Sequence, residues 1–252
     1  LLHPYIDSKG NFGRQYSRDM QAAASRYTEV RLDRLCEEIF RGIDKDAVDF
    51  MDNYDGTLEE PRLLPASFPT ILANANQGIA VGMASNICSF NLGEVCRAAI
   101  AYIHDPGFEI SSIIPGPDLS SGGQLLLIPE EMEKILSTGR GSFRLRAKYQ
   151  VDRKAGRIEI LEIPYPSSVE GIVDDVAELV RSGKIKEIQD IRDETDLNGL
   201  RLSIEYRKSA DPDALMHKLF RLTGLEAAFG CNFNVLVNGS PRVLGVKALL
   251  EG

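Results

Sequence analysis

No stretch of this 252-residue chain approaches the roughly 20 consecutive apolar residues that a membrane-spanning helix requires. No signal-peptide pattern occupies its first residues, and it opens on Leu1-Leu2-His3-Pro4 rather than methionine. The chain is therefore expected to be a piece of a longer protein with no membrane partner. Cysteine is scarce: Cys36, Cys88, Cys96 and Cys231 form no C-x-x-C pair and have no metal-ligand spacing to His3, His104 or His217. Reduced, structural cysteines are the expectation, which suits a cytoplasmic protein. Nucleotide and hydrolase signatures are missing as well. Gly122-Gly123-Gln124 and Gly139-Arg140-Gly141-Ser142 are glycine-rich, but neither matches G-x-x-x-x-G-K-[ST], and there is no G-x-S-x-G or H-E-x-x-H. Asp52-Asn53-Tyr54-Asp55-Gly56 looks like a calcium loop until it is placed in register. Position one would then be Met51 and position twelve Arg62, so the bidentate acid is lacking and an Asx-rich turn is expected. There are no internal repeats and no low-complexity segments.

What is present is an ordinary globular composition, 43% hydrophobic and 26% charged, in a chain long enough for two domains. The net charge of −8 argues against a general nucleic-acid binder. Its distribution is uneven. Residues 1–34 carry six basic side chains (Lys9, Arg14, Arg18, Arg26, Arg31, Arg34) against four acids, whereas residues 35–60 carry Arg41 and Lys45 against nine. This is either ordinary surface variation or a local phosphate-binding face on an acidic protein.

The most informative stretch is Ser25-Arg26-Tyr27-Thr28-Glu29. Leu32, Leu35, Cys36, Ile39 and Ile43 follow at helical spacing, which predicts a helix from about Thr28 to Gly42. Thr28 would cap it and Tyr27 would stand at its N-terminus, where backbone N–H groups favour an anion. A phenol there could attack phosphorus, although it is a poor nucleophile without help. Arg26 is either that help or a solvated charge.

Further along, the prolines at 61, 65 and 69 predict an extended connection and a domain boundary. Gly78–Ala84 reads as a buried strand or a tight hairpin. Asn91 and Glu94 predict a capped helix, Pro129 the first residue of another ending before Gly139, and Ser167 with Glu170 a capping box. Residues 143–151 alternate as one half-buried strand, with Arg144, Arg146 and Lys148 outward. Lys154-Ala155-Gly156 turns into a strand over Arg157–Ile163, and another strand is expected near Leu200–Tyr206. Asp211–Thr223 reads as a helix, and Asn238-Gly239 as a hairpin turn. Strands and helices mix without a βαβ rhythm, which predicts an α+β fold.

Several segments together resemble the A subunit of a bacterial type IIA DNA topoisomerase, DNA gyrase or topoisomerase IV. They include Asp7–Gly13, Ala23–Leu32, Val48–Thr57, Gln77–Ile87, Ile114–Asp118, Thr138–Gly141, Glu162–Tyr165 and Arg192–Asp196, in family order. The resemblance implies the C-terminal part of a winged-helix domain over residues 1–60 and a tower domain over 61–252. It implies that Tyr27 attacks a DNA phosphodiester to give a 5′-phosphotyrosyl link, that Arg26 stabilises the scissile phosphate, and that Ile79 wedges between base pairs. Without the family, Ile79 reads as a core residue.

The partners implied are double-stranded DNA, a topoisomerase B subunit, and a second copy of the A subunit in an A2B2 assembly. ATP and the Mg²⁺ carboxylates would belong to the B subunit. The family's recognition helix, further cleavage-site histidine and arginine residues, dimerising coiled coil and DNA-wrapping domain are expected outside this sequence. An isolated segment would then be inactive, and the alternative is a DNA-binding or scaffold module. Two departures stand out. Ala24-Ser25 replaces a frequent Ala-Met, and Cys88-Ser89-Phe90-Asn91 replaces Pro-Pro-His-Asn, which should loosen that loop.

Overall fold

The computed structural model describes residues 1–196 and 198–251. Its first ladder joins β1 (Ile6–Lys9) to β2 (Glu29–Leu32), antiparallel, with Asp7 opposite Arg31 and Lys9 opposite Glu29. Opposite charges facing each other suit a ribbon exposed to solvent. The helix expected from Thr28 to Gly42 is therefore reduced to α1 (Leu35–Ile39). Pairing with β1 claims Glu29–Leu32, and the Asp33 carboxylate accepts the Leu35 amide at 2.9 Å, so the helix starts later. Cys36 and Ile39 are buried as the spacing required, while Leu32 stays exposed. Next, β3 (Phe50–Asp52) and β4 (Glu59–Pro61) form a hairpin over the Asx-rich turn, where Asn53 Oδ1 accepts the Thr57 amide at 3.0 Å. The proline-rich stretch from 62 to 69 carries no helix or strand.

After α2 (Thr70–Ala73) come the paired strands β5 (Asn76–Ala80) and β6 (Met83–Ile87), then α3 (Leu92–His104). Asn91 caps α3 as expected, its side chain accepting from the Glu94 amide at 3.2 Å. β7 (Gln124–Leu126) leads into α4 (Pro129–Thr138), which begins on Pro129 and ends at left-handed Gly139. The predicted strand over 143–151 is two strands, β8 (Arg140–Arg146) and β9 (Lys148–Asp152). The inward alternation holds through both, but Ala147 breaks the pairing because its amide turns to the Leu225 carbonyl at 2.8 Å. At that residue the chain passes from one sheet to another.

β10 (Arg157–Glu162) returns antiparallel to β9 and is followed by α5 (Val169–Arg181). The capping box is corrected here. Ser168, not Ser167, caps α5 by accepting from the Gly171 amide, while the Ser167 hydroxyl donates to the Gly224 carbonyl. β11 (Ile188–Asp193), β12 (Leu202–Tyr206) and α6 (Pro212–Leu222) follow, with Asp211 and Thr223 as the caps of α6. β13 (Glu226–Asn232), the Asn238-Gly239 hairpin of β14 (Asn234–Val237) and β15 (Ser240–Val243), and α7 (Val246–Glu251) complete the order.

Two apolar cores result. In one, α5 and α6 cover a sheet of order β11-β12-β10-β9, with Ile158, Ile160, Val176, Ile204 and Leu219 fully buried. In the other, residues of α2, α3, α4 and α7 pack on a sheet of order β5-β6-β13-β8-β7, around Leu72, Phe90, Ile135 and Phe233. Burying each such side chain contributes about 1.5–3 kcal/mol. Every strand pairing among the described residues is antiparallel, which together with the helices gives the expected α+β class.

The segment Cys88–Asn91 is not loosened by its missing prolines. Cys88, Ser89 and Phe90 are buried, the Phe90 amide donates to the Leu72 carbonyl at 2.8 Å, and its ring meets Phe233 edge-on. All four cysteines are free thiols, and Cys88, buried beside Cys231, has its thiol pushed up by desolvation and that neighbour. No helix among the described residues is long and apolar enough to cross a membrane.

Candidate functional site: an exposed Arg–Tyr pair on a clamped ladder

The chain between β1 and β2 is an extension of their ladder with one excursion. Beyond Lys9, the Ala23 amide donates to the Asn11 carbonyl at 2.9 Å, Phe12 bridges Ala22, and the Arg14 amide donates to the Met20 carbonyl at 2.9 Å. Asn11 stiffens the turn, its side chain accepting from the Gly13 amide and donating to the Gln21 carbonyl. On the return strand, Ser25–Tyr27 bulges out as one 3₁₀ turn closed by the Thr28 amide and hydroxyl, both donating to the Ser25 carbonyl. Thr28 thus ends a turn rather than capping a helix, and Tyr27 does not stand at the N-terminus of α1, which begins at Leu35. The bulge is pressed against Gly10, whose φ is +103°; a Cβ there would stand 2.8 Å from the Tyr27 carbonyl oxygen. Glycine is required at this position by both conformation and space.

This geometry presents the Tyr27 side chain to solvent, 69% exposed. The Arg26 guanidinium carbon lies 4.9 Å from the centre of the Tyr27 ring. Stacked there, the cation keeps its N–H groups available to an anion approaching the phenolic oxygen. Lys9, Arg14, Arg26 and Arg34 have no carboxylate within ion-pair distance among the described residues, whereas Arg18 pairs with Asp174 and Arg31 with Asp7. The basic N-terminal segment therefore keeps four uncompensated cations around the ladder, as a phosphate-binding surface needs. Among the described residues there is no group of three or more His, Cys, Asp or Glu side chains able to hold a metal ion.

Ile79 is not a core residue. It lies in β5 opposite Ala84, 86% exposed, and Val81 at the hairpin turn is fully exposed. Gly78 and Gly82 have open space where a Cβ would be, so the tip is slim. Asn232 and Asn234 hold it from below, each donating to the Ala84 carbonyl. The tight hairpin is thus the correct one of the two readings of Gly78–Ala84. An open groove of about 600 Å³ separates the tip of the ladder, where Gln15 and Arg18 line it, from the base of the hairpin, where Gln77 and Asn86 line it.

The described residues thus offer a solvent-facing tyrosine under a guanidinium, unpaired cations along the same ladder and a slim apolar hairpin tip. The model of the family described as the A subunit of DNA gyrase/topoisomerase IV matches residues 1–252, and the chain belongs to that family. It is 43% identical over 252 residues to a DNA gyrase A subunit of Halalkalibacterium halodurans, an alignment covering 98% of this chain and 30% of the relative. It is 41% identical over 256 residues to the DNA gyrase A subunit of Staphylococcus aureus strain MRSA252, covering 98% of this chain and 28% of that relative. The chain thus spans under a third of the length of these curated relatives.

Two features of the site escaped sequence reasoning. Gly10 registers there only within the Asp7–Gly13 segment of the family resemblance, and Glu170 only as half of a capping box. Their partners lie 17 and about 150 residues away, a separation no local pattern reports.

Proposed function

We propose that this chain carries the DNA cleavage–religation chemistry of the A subunit of a type IIA topoisomerase, with Tyr27 as the nucleophile. The observation that carries the reading is the exposed Tyr27 phenol on a fixed backbone bulge with Arg26 stacked on its ring. The phenolic oxygen attacks a backbone phosphorus of duplex DNA, and the P–O3′ bond breaks. The 3′-oxygen leaves and takes a proton, and the 5′-phosphate stays on Tyr27. Religation is the reverse displacement, so the phosphodiester energy is conserved and no nucleotide is consumed in the step. Arg26 supports the charge that accumulates on the phosphorane oxygens. Ile79 enters a base step and kinks the duplex, offsetting the cost of unstacking. Family membership supports this reading over an inert scaffold.

Residues 1–60 correspond in this reading to the C-terminal part of a winged-helix domain and 61–252 to a tower domain. The working enzyme is a cytoplasmic A2B2 assembly, and this chain alone neither relaxes nor supercoils DNA. ATP would bind the B subunit, whose carboxylates would also hold Mg²⁺. The test is Tyr27→Phe in the complete subunit with its B partner, Mg²⁺ and duplex DNA. Covalent protein–DNA adduct is expected to vanish while DNA binding is retained; an adduct that persists overturns the assignment.

A further inference from the structure

The Tyr27 bulge sits part-way along a ladder whose far end, Gln15–Asp19, would swing freely if β1 and β2 alone held it. It does not swing, because one carboxylate collects it. Glu170, in the first turn of α5, accepts from the Ser17 hydroxyl and from the amides of Arg18 at 2.9 Å and Asp19 at 3.3 Å. The same Ser17 hydroxyl accepts the Met20 amide at 3.1 Å, which closes the tip on itself. Beside this, the Val169 amide donates to the Tyr16 carbonyl at 2.8 Å, and Arg18 pairs with Asp174 one turn along α5 at 2.9 Å. Tyr16 packs on the core beneath α5. Burial pushes the Glu170 carboxyl up, but the Ser17 hydroxyl and the Arg18 and Asp19 amides outweigh it and hold the group at about 2. It is therefore an ionised acceptor at neutral pH.

We propose that Glu170 is a positioning residue for the Tyr27 site: it fixes the free end of the ladder to α5 and so sets where Tyr27 stands relative to the Ile79 hairpin. The inference rests on the reading of Tyr27 as nucleophile. A ladder anchored at both ends cannot tilt, and the bulge between the anchors inherits their rigidity. Gln15 and Arg18 of the clamped tip line the same groove as Gln77 and Asn86 beneath Ile79, so the clamp sets the spacing of nucleophile and wedge. A displacement of about 1 Å at a reacting atom costs on the order of 100-fold in rate.

The test uses the complete subunit with its B partner, Mg²⁺ and duplex DNA, with covalent adduct titrated against DNA concentration. In Glu170→Ala the maximum adduct is expected to fall roughly 10–100-fold. The DNA concentration at half-saturation stays at its wild-type value, and the packing of α5 and α6 on their sheet is kept. Glu170→Gln, whose amide oxygen still accepts from an N–H, recovers part of the loss. Hydrogen exchange of the Arg18 and Asp19 amides quickens in Glu170→Ala while that of α5 does not. Wild-type adduct levels in Glu170→Ala, or a loss matched by weaker DNA binding or by quickened exchange throughout α5 and α6, overturn the proposal. Tyr27→Phe is run alongside. If its adduct vanishes while Glu170→Ala behaves as wild type, only the clamp falls; if its adduct persists, the nucleophile assignment falls and the clamp with it.

Discussion

The first 68 residues and the remainder of this chain are held together by different forces. From Pro69 onward, two apolar cores bury side chains such as Leu72, Ile160 and Phe233 completely. Before it, the buried apolar side chains among the described residues are Cys36 and Ile39. That first part is organised by ladder hydrogen bonds, Asx turns and a few long-range polar ties. His3 and Asn74 exchange hydrogen bonds at 2.8 Å in both directions, Ser67 donates to the Glu38 carbonyl at 2.6 Å, and Glu170 gathers the ladder tip. The proposed nucleophile thus lies on the part with little core. Its position is a matter of directional bonds, each contributing about 0.5–1.5 kcal/mol, rather than of packing.

The contrast can be broken in four places. The largest effect on stability is expected at Ile160→Ala, roughly 2–5 kcal/mol by denaturant unfolding, because a cavity opens under α5 and α6. A cost below about 1 kcal/mol there would mean that the core collapses freely around the gap. Gly10→Ala should cost about 1 kcal/mol or more, since φ is +103° and the new methyl meets the Tyr27 carbonyl. It should also depress cleavage in the complete subunit while leaving α5 and α6 intact by hydrogen exchange. Unchanged cleavage would show that the bulge tolerates movement.

Acid should separate the two parts as well. The ordinary value for Glu170 is 4.5 and its folded value about 2, so its contribution is complete above the former and fades as pH falls towards the latter. Wild type should therefore lose more stability than Glu170→Gln on acidification from about pH 5 to pH 2. Equal losses would deny the clamp a charged acceptor. The smallest effect on stability is expected at Ile79→Ala, within about 0.5 kcal/mol for so exposed a side chain. DNA bending by the complete subunit should nevertheless weaken. A melting scan beside a bending assay separates wedge from core.

Local signals in the sequence proved dependable wherever the deciding contacts were local. Asn91, Pro129 with Gly139, Asp211 and Asn238-Gly239 all sit where their own chemistry places them. The errors share one cause. Helical spacing after Thr28 lost to a strand partner more than 20 residues upstream, and the 143–151 alternation was interrupted by the Leu225 carbonyl. Ser167 was drawn away from its cap by Gly224. At the candidate site, Tyr27 and Arg26 stood out in the sequence itself, whereas Ile79 entered only through the family resemblance. The bulge, the stacking and the bare hairpin tip were not, because each depends on chain brought in from elsewhere.

Ala147 carries a consequence of its own. Residues 140–152 are a single run of extended backbone that belongs to both sheets, with only this alanine between β8 and β9. Its side chain is buried in the core under α5, while Leu145 two residues earlier lies in the other core. The two cores are therefore joined by a taut strap rather than a slack tether. A load applied at the five-stranded sheet, as the proposed bending of a duplex over the Ile79 hairpin would apply, travels along that strap as tension. It reaches the sheet beneath α5, the helix to which hydrogen bonds tie the ladder carrying Tyr27, so the strap links the proposed wedge to the proposed nucleophile.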